Sequence, residues 1–163
     1  EKSLGFLPGP LSRLSVGYDR VIHDLKTGTQ TRSELSLGAL PQSINGATVA
    51  NQKAGATLSN INTLYVTANI TDWLYVKYGN TEMDVETTES LDTGSAYGNT
   101  SLSGDVLGLG LHHQTDSGFF GRIEYLTTDI GGTTLTSTTN AANTVTLDNL
   151  EGETVQISFG KAF

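Results

Sequence analysis

The chain has no cysteine, three prolines and one methionine in 163 residues. Without cysteine there is no disulfide framework, no thiol nucleophile and no thiolate metal site. Basic residues are scarce as well: nine Lys and Arg stand against 17 Asp and Glu, a net charge of −8. Phosphate binding needs a clustered basic face, so nucleic acid is excluded as a natural partner. No apolar run approaches the roughly 20 residues of a membrane helix. Hydrophobic residues reach only 36% and mean hydropathy is −0.18, which is thin for a conventional soluble core. Three prolines and a patterned apolar content nevertheless argue against disorder. The length suits one domain, 1–163. A start at Glu1 rather than Met fits a mature exported form and a trimmed one equally.

What the chain does have is 19 Gly, 24 Thr and 14 Ser, residues that suit strands and turns better than helices. Two-residue periodicity dominates from Leu11 onwards, with no helical stripe. Val155, Ile157, Phe159 and Phe163 share one face of the last segment, opposite Thr154, Gln156, Ser158, Gly160 and Ala162. Leu107, Leu109 and Leu111 alternate with Gly108, Gly110 and His112. Similar alternation covers Leu14–Tyr18, Asn62–Ile70, Trp73–Gly79 and Phe119–Thr128. The polar face is rich in Gly, Ser and Thr with isolated charges, unlike the Lys/Glu-rich surface of a soluble sheet. Small polar residues suit the crowded interior of a narrow closed barrel whose apolar face meets lipid.

The connections point the same way. Thr71-Asp72 and Gln114–Gly118 read as tight turns, whereas Glu86–Asn99 and Gly131–Asn143 read as long polar loops. Short turns at one end and long loops at the other are the asymmetry of outer-membrane barrels. Trp73, Tyr75, Tyr78, Phe119, Phe120, Tyr125 and Phe163 lie near the expected turns and would form an aromatic girdle. The expected fold is therefore all-β: an up-and-down antiparallel transmembrane β-barrel. It has eight strands if the polar segment Ala47–Thr57 crosses, and six long strands if it does not. Six strands would need partner copies, as in a homo-oligomer, or further residues to close.

The segment Gly152–Phe163, ending in an aromatic, resembles the closing strand of bacterial outer-membrane β-barrels. Gly121-Arg-Ile-Glu-Tyr125, followed by a Thr/Asp/Gly-rich loop, resembles the penultimate strand of small porin-like proteins of the alphaproteobacterial type. The resemblance covers roughly residues 60–163 and is a pattern rather than a signature. It implies a location in the bacterial outer membrane, contact with its lipid and lipopolysaccharide, and recognition by the barrel assembly machinery through Phe163 as the terminal assembly signal.

Chemistry-bearing residues are few. Arg122 and Glu124 share the expected lumen face, with Arg13, Asp19 and Lys77 joining them in a lumen charge network. Such a network reads as a packed ion-pair plug or, alternatively, as a selectivity ring. His112 and His113 are adjacent, so on a strand they diverge and make a poor metal site. Asp116 and Ser117 alone do not make a triad. The acidic run Glu82, Asp84, Glu86, Glu89 and Asp92 reads as a solvated loop and lacks the spacing of an EF-hand. No catalytic residue, cofactor or metal is expected, and the chain is not read as an enzyme. The leading function is a structural or surface-interaction role, with polar Thr/Asn/Gly-rich loops presented outside. The alternatives are a narrow pore for small solutes and a secreted or phage β-sandwich adhesin.

Overall fold

The computed structural model describes residues 2–4, 13–36, 48–91 and 94–161. Eleven strands form among these residues: β1 Lys2–Ser3, β2 Leu14–Arg20, β3 Leu25–Lys26, β4 Gln30–Ser36, β5 Thr48–Asn69, β6 Leu74–Leu91, β7 Thr100–Gln114, β8 Phe119–Ile130, β9 Thr133–Thr136, β10 Thr144–Leu147 and β11 Leu150–Lys161. There is no helix of membrane-spanning length and apolarity among the described residues. The main sheet runs β1-β2-β5-β6-β7-β8-β11, every pairing antiparallel, and β9 with β10 makes a separate hairpin. All-β, antiparallel and meandering, the fold matches the coarse expectation.

Of the two strand counts expected, the described residues follow six rather than eight. β2, β3 and β4 pair one after another along the same side of β5, so they are one interrupted strand beside a 22-residue neighbour. The segment Ala47–Thr57 is therefore no separate crossing: its described residues are the far end of β5. The expectation of eight crossings gives way to six strand paths, those of β2–β4, β5, β6, β7, β8 and β11. Sequence alternation stops at Asn62 because β5 carries a bulge there. The register slips between Ser59 and Asn62, and Asn60 takes a φ of 50°. A bulge inserts one residue and inverts the alternation beyond it, which hides a continuous strand from any period-two reading. Likewise, Glu86–Leu91 extends β6 rather than opening a loop.

Both tight turns sit at one end. Thr71 Oγ1 accepts from Leu74 N at 3.0 Å, and Gly118 supports the second turn with a φ of 86°. The long connections gather at the other end, where they interlock: Thr138 N donates to Ala96 O at 2.8 Å and Asn143 Nδ2 to Ser95 Oγ at 2.8 Å. Among the described residues β11 pairs only with β8, so the sheet is open and shows no closing rung.

The sheet is a single layer, yet one of its faces is buried. Tyr65, Thr67, Tyr75, Lys77 and Glu124 are all under 5% exposed. Among the described residues no second layer covers them, so the sheet must curl towards that side. Residues of β2 and of β11, at opposite edges, line one trough of about 650 Å3. Glycines permit the tight curl at two rungs. Gly17 lies opposite Tyr65 and Gly110 opposite Tyr75, and an added Cβ would fall 2.2 and 2.1 Å from the respective rings.

Candidate functional site

At the centre of the inner face stands Lys77. Period-two alternation of β6 turns Tyr75, Lys77, Gly79 and Thr81 inward together. Lys77 Nζ pairs with Asp19 Oδ2 at 2.9 Å, across β5, and with Glu124 Oε1 at 3.7 Å, across β7. It also lies 3.7 Å from the centroid of the Tyr65 ring. The ammonium is only 2% exposed, so both carboxylates and the ring face replace the water it has lost. Glu124 is buried too, and its Oε1 makes the ion pair but no hydrogen bond. Asp19 remains half exposed at the trough.

Arg122 lies one inward step from Glu124, its guanidinium 5.3 Å from the Tyr75 ring. Tyr75 in turn stacks on His112, with centroids 5.5 Å apart. Four of the five charges expected in the lumen thus face the same trough or its floor. Arg13 does not join them: it precedes β2, is exposed, and donates from Nη1 to Ile70 O at 3.2 Å beside a turn. Phe163 lies outside the described residues.

Two aromatic residues sit where the sequence reading did not put them. Tyr75 and Phe120 face inward, Tyr75 over Gly110 and Phe120 over Gly160, and are not part of an outer girdle. Tyr78 and Tyr125 do face outward, but at the loop-ward limit of the apolar outer face rather than at the turns. Tyr18, expected on the apolar face of its strand but not in the girdle, joins them. Each phenol donates to a polar group nearby: Tyr18 to Asn62 Oδ1 at 2.5 Å, Tyr78 to Asp105 Oδ1 at 3.0 Å, and Tyr125 to Glu153. Only the ladder register exposes this arrangement, because the three tyrosines are far apart in sequence.

The outer face changes character at that level. Below it, towards the turns, Val16, Leu64, Val66, Val76, Leu107, Leu109, Leu111, Ile123, Val155, Ile157 and Phe159 are all exposed. Above it the outward residues are Arg20, Asn62, Asn80, Glu82, Asp84, Ser101, Ser103, Asp105, Asp129 and Glu151. The acidic residues expected in a loop are thus partly strand residues: Glu82, Asp84 and Glu86 point outward from β6. Hydrogen bonds from Asn60 and Ser101 hold the Asp84 carboxyl below the usual carboxylate range. Among the described residues no three His, Asp or Glu converge on a metal-sized site.

The inner face changes in the opposite sense. Met83, Val85, Leu102 and Ile130 form a buried cluster on the loop side, with Ala56, Leu58, Ile61, Leu147 and Leu150 packed against it. No family model matches the chain, and neither a curated protein nor a solved structure is similar to it.

Proposed function

We propose that this chain builds the wall of a small outer-membrane β-barrel with a structural or surface-interaction role, its loop end facing outward. The observation that carries the reading is the boundary on the outer face. The apolar run on this face ends at Tyr18 in β2, Leu64 in the turn-side part of β5, Tyr78 in β6, Leu107 in β7, Tyr125 in β8 and Val155 in β11, although exposed Val21 and Ile22 follow just past β2. Tyr18 pairs with Leu64, Tyr78 with Leu107 and Tyr125 with Val155. Leu64, however, pairs with Asn80, and Leu107 with Thr127, so each tyrosine pair sits two residues lower than the pair before it. The boundary therefore descends four residues over five strand intervals. At about 3.3 Å per residue and about 4.8 Å between strands, that is a slant of about 30°. Barrel strands tilt by about 35–45°, so on tilted strands this line becomes nearly level, as the edge of a bilayer is. Tyrosines with an apolar body and a bonded hydroxyl belong at such an edge.

A soluble β-sandwich accounts for less. It would cover the outer apolar face with a second sheet, and among the described residues nothing lies over that face. A patch of this extent is uncommon on soluble monomers. Among the described residues β2 is paired on its outer side only by the two residues of β1, and β11 has no partner there, so in lipid both edges of the sheet need further strands, because open sheet edges do not occur there. Pairing with a second copy of the chain, or with other strands, closes the wall. Lipid and lipopolysaccharide contact the outer face in this reading, and the barrel assembly machinery inserts it. A narrow pore is the second reading, favoured by the polar trough around Lys77.

The test is refolding into detergent micelles followed by gel migration with and without heating. A heat-dependent shift, together with recovery in the outer-membrane fraction of cells, is expected. Recovery of a folded, detergent-independent protein in the soluble fraction would overturn the reading.

A further inference from the structure

The two halves of the inner face have opposite chemistry, and this decides what the lumen can do. The trough is lined by Ser15, Asp19, Asn69, Arg122, Glu124 and Gln156, among others, and includes no member of the Met83 cluster. Immediately loop-ward, Thr63 Oγ1 donates to Thr81 Oγ1 at 3.0 Å, and Thr81 Oγ1 donates to Asn62 O at 3.1 Å. Their hydroxyls are engaged with the wall itself. Beyond them come Met83, Val85, Leu102 and Ile130, each 6% exposed or less. Leu58 and Leu150 are the ladder partners of Val85 and Ile130, so these contacts run along the wall, while Leu147 of β10 packs onto the cluster from outside the main sheet.

We propose that the trough is a blind pocket, open at the short-turn end and sealed towards the loops by Met83, Val85, Leu102 and Ile130. The proposal rests on the membrane-spanning reading and sets aside a through-pore. Water has no hydrogen-bonding partner among those four side chains, and an apolar constriction excludes it. The interlocked connections hold the seal shut from above. Ser95 and Ser137 are buried there, Ala96 N donates to Ser137 Oγ at 3.3 Å, and Thr139 Oγ1 donates to Gly94 O at 2.8 Å. The charges around Lys77 then govern the pocket and its stability, not passage through the lumen.

Because the chain has no native cysteine, single thiols report sidedness cleanly. Ser117→Cys at a turn, Thr134→Cys in the β9–β10 hairpin and Ser158→Cys in the trough are each placed in oriented proteoliposomes. A membrane-impermeant thiol reagent is added to one side or the other. Ser117→Cys reacts from the turn side and Thr134→Cys from the loop side, and these two controls test the spanning reading alone. Ser158→Cys then reacts from the turn side only. Adding Met83→Gly and Leu102→Gly to Ser158→Cys raises its loop-side reaction on the order of tenfold, as a wetted constriction would. If the controls are sided but Ser158→Cys reacts equally from both sides, the lumen is open and the seal is overturned. Reaction from neither side removes the pocket and overturns the proposal too. Controls that react alike from both sides reject the spanning reading, and the seal with it. The sidedness of Ser158→Cys in the otherwise unaltered chain stands even if the double glycine variant fails to fold.

Discussion

The same strands obey opposite rules at their two ends. On the turn side β6 points Val76 and Tyr78 outward and buries Lys77; on the loop side it points Glu82 and Asp84 outward and buries Met83 and Val85. The loop half follows the ordinary logic of a protein in water, apolar within and charged without. The turn half reverses that logic, and a reversal is stable only where the surroundings are apolar. In the outer-membrane reading proposed above, one strand meets two solvents. The transition falls at Tyr18, Tyr78 and Tyr125, whose phenols all reach polar partners.

The largest effect expected from breaking this contrast is on the outer face. Leu109→Arg places a charge in the middle of the apolar band and should cost about 2–4 kcal/mol in lipid. Ser101→Arg, also outward but in the loop half, should cost almost nothing. Urea titration of both variants refolded in bilayers measures the difference, and equal costs would erase the distinction between the halves.

Inside the turn half, Lys77→Met leaves Glu124 buried beside a neutral side chain. Breaking a buried pair costs about 3–5 kcal/mol, and about 2 is expected here because Asp19 stays in contact with solvent. Adding Glu124→Gln should recover part of that loss, which an unfolding midpoint for the double variant reads directly. If Lys77→Met is neutral, the ion pairs do not organise the inner face.

The glycine–tyrosine rungs sharpen the packing side of the argument. Gly110→Val drives a side chain into the Tyr75 ring and should cost about 1–2 kcal/mol as overpacking. Tyr75→Ala should relieve that clash, so the double-mutant cycle should show a coupling that the single changes lack.

The smallest effect concerns Asp84 in the loop half. Its pKa is lowered in the folded state by Asn60 first and Ser101 second. The associated stabilisation is present above the unfolded-state value and is lost as pH falls through the lowered folded value. Asn60→Ala should move the Asp84 titration up towards the ordinary value, as read by NMR of the side-chain carboxyl.

How much of this was legible in the sequence follows from the physics of each feature. Period-two patterning is local, so the stretches Leu14–Tyr18, Trp73–Gly79 and Leu107–Leu111 could be recognised as strands with an apolar and a small-polar face. The grouping of Asp19, Lys77 and Glu124 followed from parity alone, since each is an odd or even step from an apolar neighbour. Arg13 was grouped with them by the same parity, but it lies before the strand begins and is held at a turn. The long β5 was missed because the bulge at Asn60 shifts the alternation by one. The reversal of inside and outside was missed for a different reason. Glu82, Asp84 and Glu86 look like a loop when no register shows that Met83 and Val85 stand between them on the buried side. The alternation of Glu82, Asp84 and Glu86 with Met83 and Val85 is local and could be read as a strand; which of its two faces is covered depends on its neighbours on β5 and β7, and that is a long-range property.

The most direct test of the account compares nitroxide labels at Leu109 and Ile157 with labels at Glu82 and Ser103, all on the outer face. Their relaxation is read against dissolved oxygen, which partitions into lipid, and against a water-soluble nickel chelate. The account predicts that Leu109 and Ile157 respond to oxygen and not to nickel, while Glu82 and Ser103 show the reverse. Nickel access at all four positions would place the whole outer face in water and contradict it.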